Sequence, residues 1–322
     1  MRAKLSHRLP AGLLAVALAS VAVASIGHAG SAAGLSRPDA TSQQRTHARH
    51  AAPRYAHVFE VVMENLSFDG ALATPGFASL AHAYAYASDF YATSHPSLPN
   101  YLALTAGQTF GISSDCLTCY VRSDNLGAQL SAAHISWGDF VESVSQPCYL
   151  GTSYGEYAAK HNPFRYYDDI RSSPTLCAHL LPIVSLYADL GRGAASTPAY
   201  AFVEPNICDD GHDCSPDVAA SWLSGFVATV TRSAAWRDHG LLVVTWDESE
   251  GDDSRLLPSG QVVASGGGGH ILTIVIAAGA KAGTVITTPL THDALLATVE
   301  RNFGLPLLAG AAAWRDRTLS IG

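Results

Sequence analysis

Five groups of residues, far apart along the chain, carry the side chains that handling a phosphate ester requires. They are Glu64-Asn65, the run Ser94-His95-Pro96-Ser97-Leu98-Pro99-Asn100, the pair Asp210 and His212, Asp247-Glu248, and His292. Carboxylates and a carboxamide are hard oxygen ligands for Mg²⁺, Ca²⁺ or Mn²⁺, and together with imidazole they suit Zn²⁺. A serine hydroxyl is a weak nucleophile until a metal or a base activates it. Ser97 stands just ahead of an apolar, helix-prone stretch, where free backbone N–H groups and the helix dipole favour an anion. A serine in that place also serves as an ordinary N-cap, and Asn100 either donates its amide to a phosphate oxygen or caps the turn. In chain order the set is carboxylate, hydroxyl, Asp/His, carboxylate pair and His, which suits a metal-assisted hydrolase with Ser97 as nucleophile.

Each group has a plainer reading. Glu64-Asn65 ends an apolar run and could form a salt bridge or a turn. Asp247-Glu248 could belong to a solvated acidic loop with Glu250, Asp252 and Asp253. Adjacent carboxylates at a buried strand end repel each other, however, and a metal relieves that repulsion, which favours Asp247 as a ligand. The metal candidates are therefore Glu64, Asn65, Asp247 and Glu248, with Asp210 and His292 beside them. His292 follows Thr291 at a helix start, where an imidazole is held neutral and able to ligate. His212 lies in Asp209-Asp210-Gly211-His212-Asp213 and is either a ligand, a general acid or part of an exposed acidic turn. His161 could protonate a leaving group and Lys160 could balance a phosphate. His95 and Asn100 are further candidates for contacting substrate. His270, after four glycines, is a ligand or a loop residue.

These residues need elements that bring them to one place. His57 to Met63 reads as the first core strand, and Ala199 to Val203 and Leu241 to Thr245 read as strands ending at Glu204-Pro205-Asn206 and at Trp246-Asp247-Glu248. Ile135 to Phe140 and Ile271 to Ala277 are further strands. Helices are predicted over Phe77–Ala85, Tyr101–Thr105, Leu126–Ala133, Asp217–Trp236 and Asp293–Phe303, the last stopped by Gly304 and Pro306. The stretch 143–182 reads as an irregular inserted cap, rich in Tyr, Pro and Ser, and 249–269 as a glycine-rich loop. The alternation predicts an α/β fold, a mainly parallel central sheet with helices on both faces. In such sheets ligands bind at the carboxyl ends of the strands.

The first residues look like a cleaved leader over 1–33. Arg2, Lys4 and Arg8 precede an apolar run from Ala11 to Ile26 that is too short for a membrane span, followed by small residues. Residues 34–54 read as a disordered linker, leaving 55–322 as one catalytic domain. The formal charge is −8, and losing the three leader cations would leave −11. That balance argues against a nucleic-acid partner. The six cysteines, in an exported chain, favour disulfides. Cys208 and Cys214 are the best pair because they bracket Asp210 and His212, and Cys116-x-x-Cys119 reads as a disulfide more readily than as a zinc or redox motif. No GxGxxG follows the first strand and no GxxxxGK[ST] occurs, which counts against dinucleotide and P-loop readings. The one GxSxG, Gly151 to Gly155, lies in the irregular stretch 143–182 and not at a strand-to-helix elbow, which counts against a Ser-His-Asp hydrolase. Nothing in the sequence fixes the number of subunits.

At these residues the chain resembles the phosphoesterase family of bacterial phospholipases C and secreted acid phosphatases, within the alkaline-phosphatase-like superfamily. The matching stretches are Val62 to Asn65, His95 to Leu104, Tyr157 to Pro163, Pro205-Asn206 with Asp210 to Asp213, Val244 to Glu248, and His292 with Leu296 to Pro306. The resemblance implies that Ser97 is the nucleophile and that Glu64, Asn65, Asp247 and Glu248 hold metal. It implies a second cluster of Asp210, His212 and His292, although the spacing around His212 departs from the Asp-x-x-x-His of better-known superfamily members. A one-metal site, with His212 as acid or phosphate contact, fits that departure. Length and motifs are closer to the short secreted acid phosphatases, some of which act on phosphoinositides, than to the long phospholipases C with their extra C-terminal domains. The expectation is a secreted, metal-dependent phosphatase that hydrolyses small-molecule or lipid phosphate monoesters through a seryl-phosphate. The alternatives are a phospholipase C or other phosphodiesterase and, in another class, a non-catalytic exported binding protein.

Overall fold

Every position of His57–Met63 (β1) and of Gly240–Trp246 (β8) is buried, so the centre of the sheet is covered on both faces. The structure, a computed structural model, describes residues 54–319. The expected leader over 1–33, and all of the 34–54 stretch except Arg54, lie outside the described residues. After β1 the chain runs through α1 (Phe68–Ala73), α2 (Pro75–Ala83), β2 (Ala85–Tyr91), α3 (Ser97–Ala106), α4 (Leu126–Ala132) and β3 (Trp137–Val141). A small hairpin of β4 (Ser153–Tyr154) and β5 (Tyr157–Ala158) follows, then α5 (Asp168–Ser172), α6 (Pro174–Cys177), β6 (Leu180–Pro182), α7 (Ile183–Arg192) and β7 (Tyr200–Glu204). The second half comprises α8 (Pro216–Arg232), α9 (Ala234–Arg237), β8, a second hairpin of β9 (Arg255–Leu256) and β10 (Val262–Val263), β11 (His270–Ala277), β12 (Thr284–Ile286), β13 (Leu290–Thr291) and α10 (His292–Phe303).

The main sheet has the order β12-β2-β11-β8-β1-β7-β3-β6, with β13 also paired to β2. All neighbours are parallel except β11, which runs antiparallel to both β2 and β8. The predicted mainly parallel α/β sheet is therefore what forms. Two groups of helices cover it. In one, α3 packs on α10 and α4, and in the other α2 packs on α8 and α1.

Local sequence explains the elements that matter for the site. Glycine closes α3, since Gly107 has φ +68° and a Cβ there would lie 2.8 Å from the backbone nitrogen of Gly310. All ten residues of α3 are buried, Ser97 included. The expected helix over Asp217–Trp236 is divided at Ser233, whose hydroxyl accepts the Trp236 N–H at 3.1 Å and starts α9. The stretch 143–182, expected to be irregular, contributes β6 to the sheet edge. Three disulfides close loops, Cys116–Cys119, Cys148–Cys177 and Cys208–Cys214. Among the described residues no helix is long and apolar enough to cross a membrane.

Candidate active site

Parallel pairing of β1 with β8 puts Met63 opposite Trp246, so Glu64 and Asp247 leave the sheet one step later, side by side. The ladder extends past both ends, with Asp247 N donating to Met63 O at 2.9 Å and Glu64 N donating to Asp210 O at 3.0 Å. Three carboxylates from distant parts of the chain therefore converge beyond the carboxyl ends of the strands. The loop after β2 delivers Ser97 to the same edge. Gly268 lets that loop approach, since a Cβ at this glycine would lie 2.3 Å from Ser94 O.

Ser97 is the first residue of α3, and Pro96 holds the N-cap position. Its hydroxyl therefore does not cap the helix. It points at carboxylates instead, with Oγ 3.2 Å from Glu64 Oε2 and 3.4 Å from Glu248 Oε1. Lys160 Nζ lies 3.3 Å from the same Oγ, 3.1 Å from His212 Nε2 and 3.3 Å from Asp115 Oδ2. The second oxygen of Glu64, Oε1, accepts the Tyr101 hydroxyl at 2.8 Å.

His161 is buried between Glu64 and Asp210. Its Nε2 lies 3.0 Å from Glu64 Oε1 and its Nδ1 3.0 Å from Asp210 Oδ2, yet neither contact has the alignment of a hydrogen bond. Ligand atoms of Glu64, His161 and Asp210 all lie within 4.8 Å of one another. Asp247 Oδ1 accepts the backbone N–H groups of Asn65 at 3.2 Å and Glu248 at 2.7 Å, whereas its Oδ2 is buried without a partner. Asp210 Oδ2 is likewise buried and unbonded. Burial, then the neighbouring Glu64 and Glu248 charges, push the Asp247 pKa well above the carboxylate range. For Glu64, burial is outweighed by the charges of His161 and Lys160, which hold its pKa near 2. Burial also opposes charge on His161, but Glu64 and Asp210 raise it to about 9. Orphaned buried oxygens and misaligned imidazole contacts are what a divalent cation would satisfy, and the donor set of carboxylate oxygens with one imidazole fits such an ion.

The candidates of the sequence thus separate. Ser97, Glu64, Asp247, Glu248, Asp210, Lys160, His161 and His212 come together. His161 lies buried with Glu64 and Asp210, in a group that could hold a metal ion, while His212, with about a third of its side chain exposed, borders the open cleft. Asn65 contributes a backbone N–H to Asp247 and takes a left-handed φ of 46° at the cleft wall. His95 sits at the rim, with Nδ1 against Glu248 Oε2 and Nε2 3.0 Å from Asp252 O, and the contact with Glu248 raises its pKa. Asn100 spends its amide internally. Its Oδ1 accepts from Thr93 N and Ser94 N at 3.1 and 2.9 Å, and its Nδ2 donates to Ser94 O and Pro96 O. It ties down the loop that leads to Ser97 rather than reaching into the cleft. His292 stands outside the cluster, with Nε2 3.0 Å from Trp246 O and Nδ1 3.4 Å from Thr93 Oγ1. Its ring is kept neutral by burial, which lowers its pKa to about 4. His270 pairs with Ser88 O and stacks on Phe68 and Tyr91.

Two residues of the site carry no signal of their own in the sequence. Tyr101 reads as one more apolar residue of a helix, yet its hydroxyl holds Glu64 and its ring stacks on His161 at 5.3 Å. Asp115 lies in a patternless loop beside the first disulfide. The cleft itself has a volume of about 510 Å³ and is lined by Asn65, His95, His212, Glu248, Glu250 and Asp253, among others.

A sequence profile of the Phosphoesterase family matches residues 54–306. A phosphatidylinositol-3-phosphatase of Mycobacterium tuberculosis is 32% identical over 265 residues, covering 80% of each chain. An acid phosphatase of Aspergillus fumigatus is 29% identical over 78% of this chain, and a phosphate-repressible acid phosphatase of Penicillium chrysogenum is 29% identical over 76%. The chain spans only 55% and 58% of the length of these two fungal proteins. In fold it is similar to a protein of the alkaline phosphatase superfamily from Vibrio parahaemolyticus, with a TM-score of 0.51 at 14% identity over 84% of this chain and 72% of that one.

Proposed function

Because the chain belongs to the phosphoesterase family, we propose that it is a metal-dependent phosphatase of the acid-phosphatase type, acting on phosphate monoesters through a seryl-phosphate on Ser97. The observation that carries this reading is the position of Ser97 Oγ, at the start of a buried helix and 3.2–3.4 Å from Glu64, Lys160 and Glu248. A divalent cation held by Glu64, Asp247 and Glu248, with His161 and Asp210 beside them, would supply positive charge that favours the Ser97 alkoxide and neutralises phosphoryl oxygens. Lys160 adds a second positive charge at the same oxygen. The N-terminus of α3 offers backbone N–H groups to the anion.

Ser97 Oγ forms the bond to phosphorus as the bond to the leaving oxygen breaks. The proton that Ser97 Oγ sheds would pass by way of Lys160 Nζ to His212 Nε2, 3.1 Å from Nζ, and from there to the leaving oxygen. Water then attacks phosphorus as the bond to Ser97 Oγ breaks, and one of its protons returns to Oγ, which releases phosphate and restores the serine. Phosphoinositides enter as candidate substrates because the mycobacterial relative is a phosphatidylinositol-3-phosphatase. Three disulfides support an exported protein.

The test is turnover of p-nitrophenyl phosphate and of its bis ester by the purified protein, before and after chelation. Hydrolysis of the monoester, lost with EDTA and restored by one divalent ion, is expected. Turnover that survives complete metal removal would sink the metal-dependent reading, and faster cleavage of the bis ester would make the protein a phosphodiesterase. Absence of turnover with any metal would leave a binding protein.

A further inference from the structure

Helix α3 has an unusual start. Its N-cap is a proline without a side-chain acceptor, although capping residues normally carry one. The missing acceptor comes from another part of the chain, since Asp115 Oδ1 accepts the Leu98 N–H at 3.0 Å. The other oxygen of the same carboxylate, Oδ2, lies 3.3 Å from Lys160 Nζ, which is itself 3.3 Å from Ser97 Oγ. One carboxylate therefore touches both the residue after the nucleophile and the cation beside the nucleophile. It is anchored from behind. Asp115 precedes the Cys116–Cys119 disulfide, and the buried Arg165 donates to Leu117 O within that loop at 3.2 Å and to Leu150 O at 3.0 Å.

We propose that Asp115 is a positioning residue that aims the Lys160 ammonium at Ser97 Oγ and fixes the nucleophile's helix start. The proposal rests on the reading of Ser97 as nucleophile. Lysine is a flexible point charge on a four-carbon stem, and here His212 Nε2 at 3.1 Å competes for it. Without Asp115 the ammonium has no anionic anchor on the α3 side and swings between His212 and the acidic cleft. The cost falls on the step that needs Lys160 at Ser97, not on capture of the substrate. Removing a negative charge from the neighbourhood of an anion site favours anion binding, so the predicted signature is a loss in kcat with KM unchanged or lowered.

The experiment is a double-mutant cycle with p-nitrophenyl phosphate at saturating metal, joined by calorimetry with inorganic phosphate. Asp115→Asn keeps an acceptor for the Leu98 N–H and removes the anchor for Lys160. It should lower kcat about tenfold in the wild-type background and less than about twofold on top of Lys160→Met. Its affinity for phosphate should not fall. Asp115→Ala, which also loses the cap, should in addition lower Tm by about 2–4 °C, whereas Asp115→Asn should keep it. Equal losses in both backgrounds, an unchanged kcat in Asp115→Asn, or a raised KM with unchanged kcat would overturn the proposal. Lack of turnover in the wild-type protein would instead remove the proposed function, and weakened phosphate binding in Asp115→Asn would then overturn the role of Asp115 independently.

Discussion

In the proposed mechanism Ser97 would draw its reactivity from neighbours that the chain supplies from four separate places, at Glu64, Glu248, Lys160 and the backbone of α3. Ser97→Ala deletes the attacking oxygen without disturbing a capping bond, because Pro96 and not Ser97 holds the cap position. Activity should drop on the order of a thousandfold or more with Tm and metal content kept, and a folded variant with near-wild-type turnover would end the serine assignment. Asp247→Asn is a complementary probe. Its Oδ1 can still accept the Asn65 and Glu248 N–H groups, while the orphaned Oδ2 becomes an NH₂ group. The variant should fold, bind less metal by elemental analysis and turn over slowly, whereas full metal occupancy with retained rate would remove Asp247 from the ligand set. Glu64 and Asp247 were legible in the sequence because a carboxylate closing a largely apolar, buried strand has to be answered by a partner or a cation. Tyr101 and Asp115 were not, since their roles rest on where a hydroxyl and a carboxylate arrive after folding.

At the scale of elements, strands that are mostly apolar along their length announced themselves. β1, β8 and β11 lie within a residue or two of where periodicity placed them. β2 did not, because Ala85-Tyr86-Ala87-Ser88-Asp89-Phe90-Tyr91 mixes small and polar residues, and its burial alternates under cover from β12 and β13. The loop that bears Asp210 and His212 was recognised through its flanking cysteines, and Cys208–Cys214 is the pair that forms. That loop also has internal ties. Asn206 Oδ1 accepts from Cys208 N and Asp209 N at 3.0 and 3.1 Å, and Asp213 N donates to Ile207 O at 2.7 Å. Replacing both cysteines by serine should therefore cost less than the roughly 2–4 kcal/mol of an ordinary disulfide. The loss should fall on activity, since Asp210 Oδ2 must stay within reach of His161. Melting curves and kcat/KM of the double variant check this. A large fall in Tm with unchanged kcat/KM would make the bond a global brace with no bearing on the site.

The whole molecule carries an unusual load of buried acid away from the cleft. Burial raises Glu60 to about 8, Asp139 to about 7, Asp293 to about 7 and Glu300 to about 8, and lifts Glu204 well above the carboxylate range. Such groups stay protonated in the fold while the unfolded chain releases its protons from about pH 4 upward. The native state then binds more protons than the unfolded one, so stability falls as pH rises between the two pKa values. For Glu60 the window runs from its ordinary value of 4.5 to about 8, with a slope of up to ~1.4 kcal/mol per pH unit inside it. Below pH 4.5 both states are protonated and this contribution is fully present. Above about 8 no more is lost. Glu60 is the cleanest probe, because Oε2 accepts the Tyr200 hydroxyl at 3.0 Å and Oε1 is buried without a partner. Glu60→Gln keeps an acceptor for Tyr200 and removes the ionisable proton. With metal saturating throughout, Tm of the wild-type protein should decline from pH 5 to pH 8, and the Glu60→Gln variant should decline less over the same range. Parallel Tm curves for the two proteins would show that Glu60 titrates alike in the folded and unfolded chain.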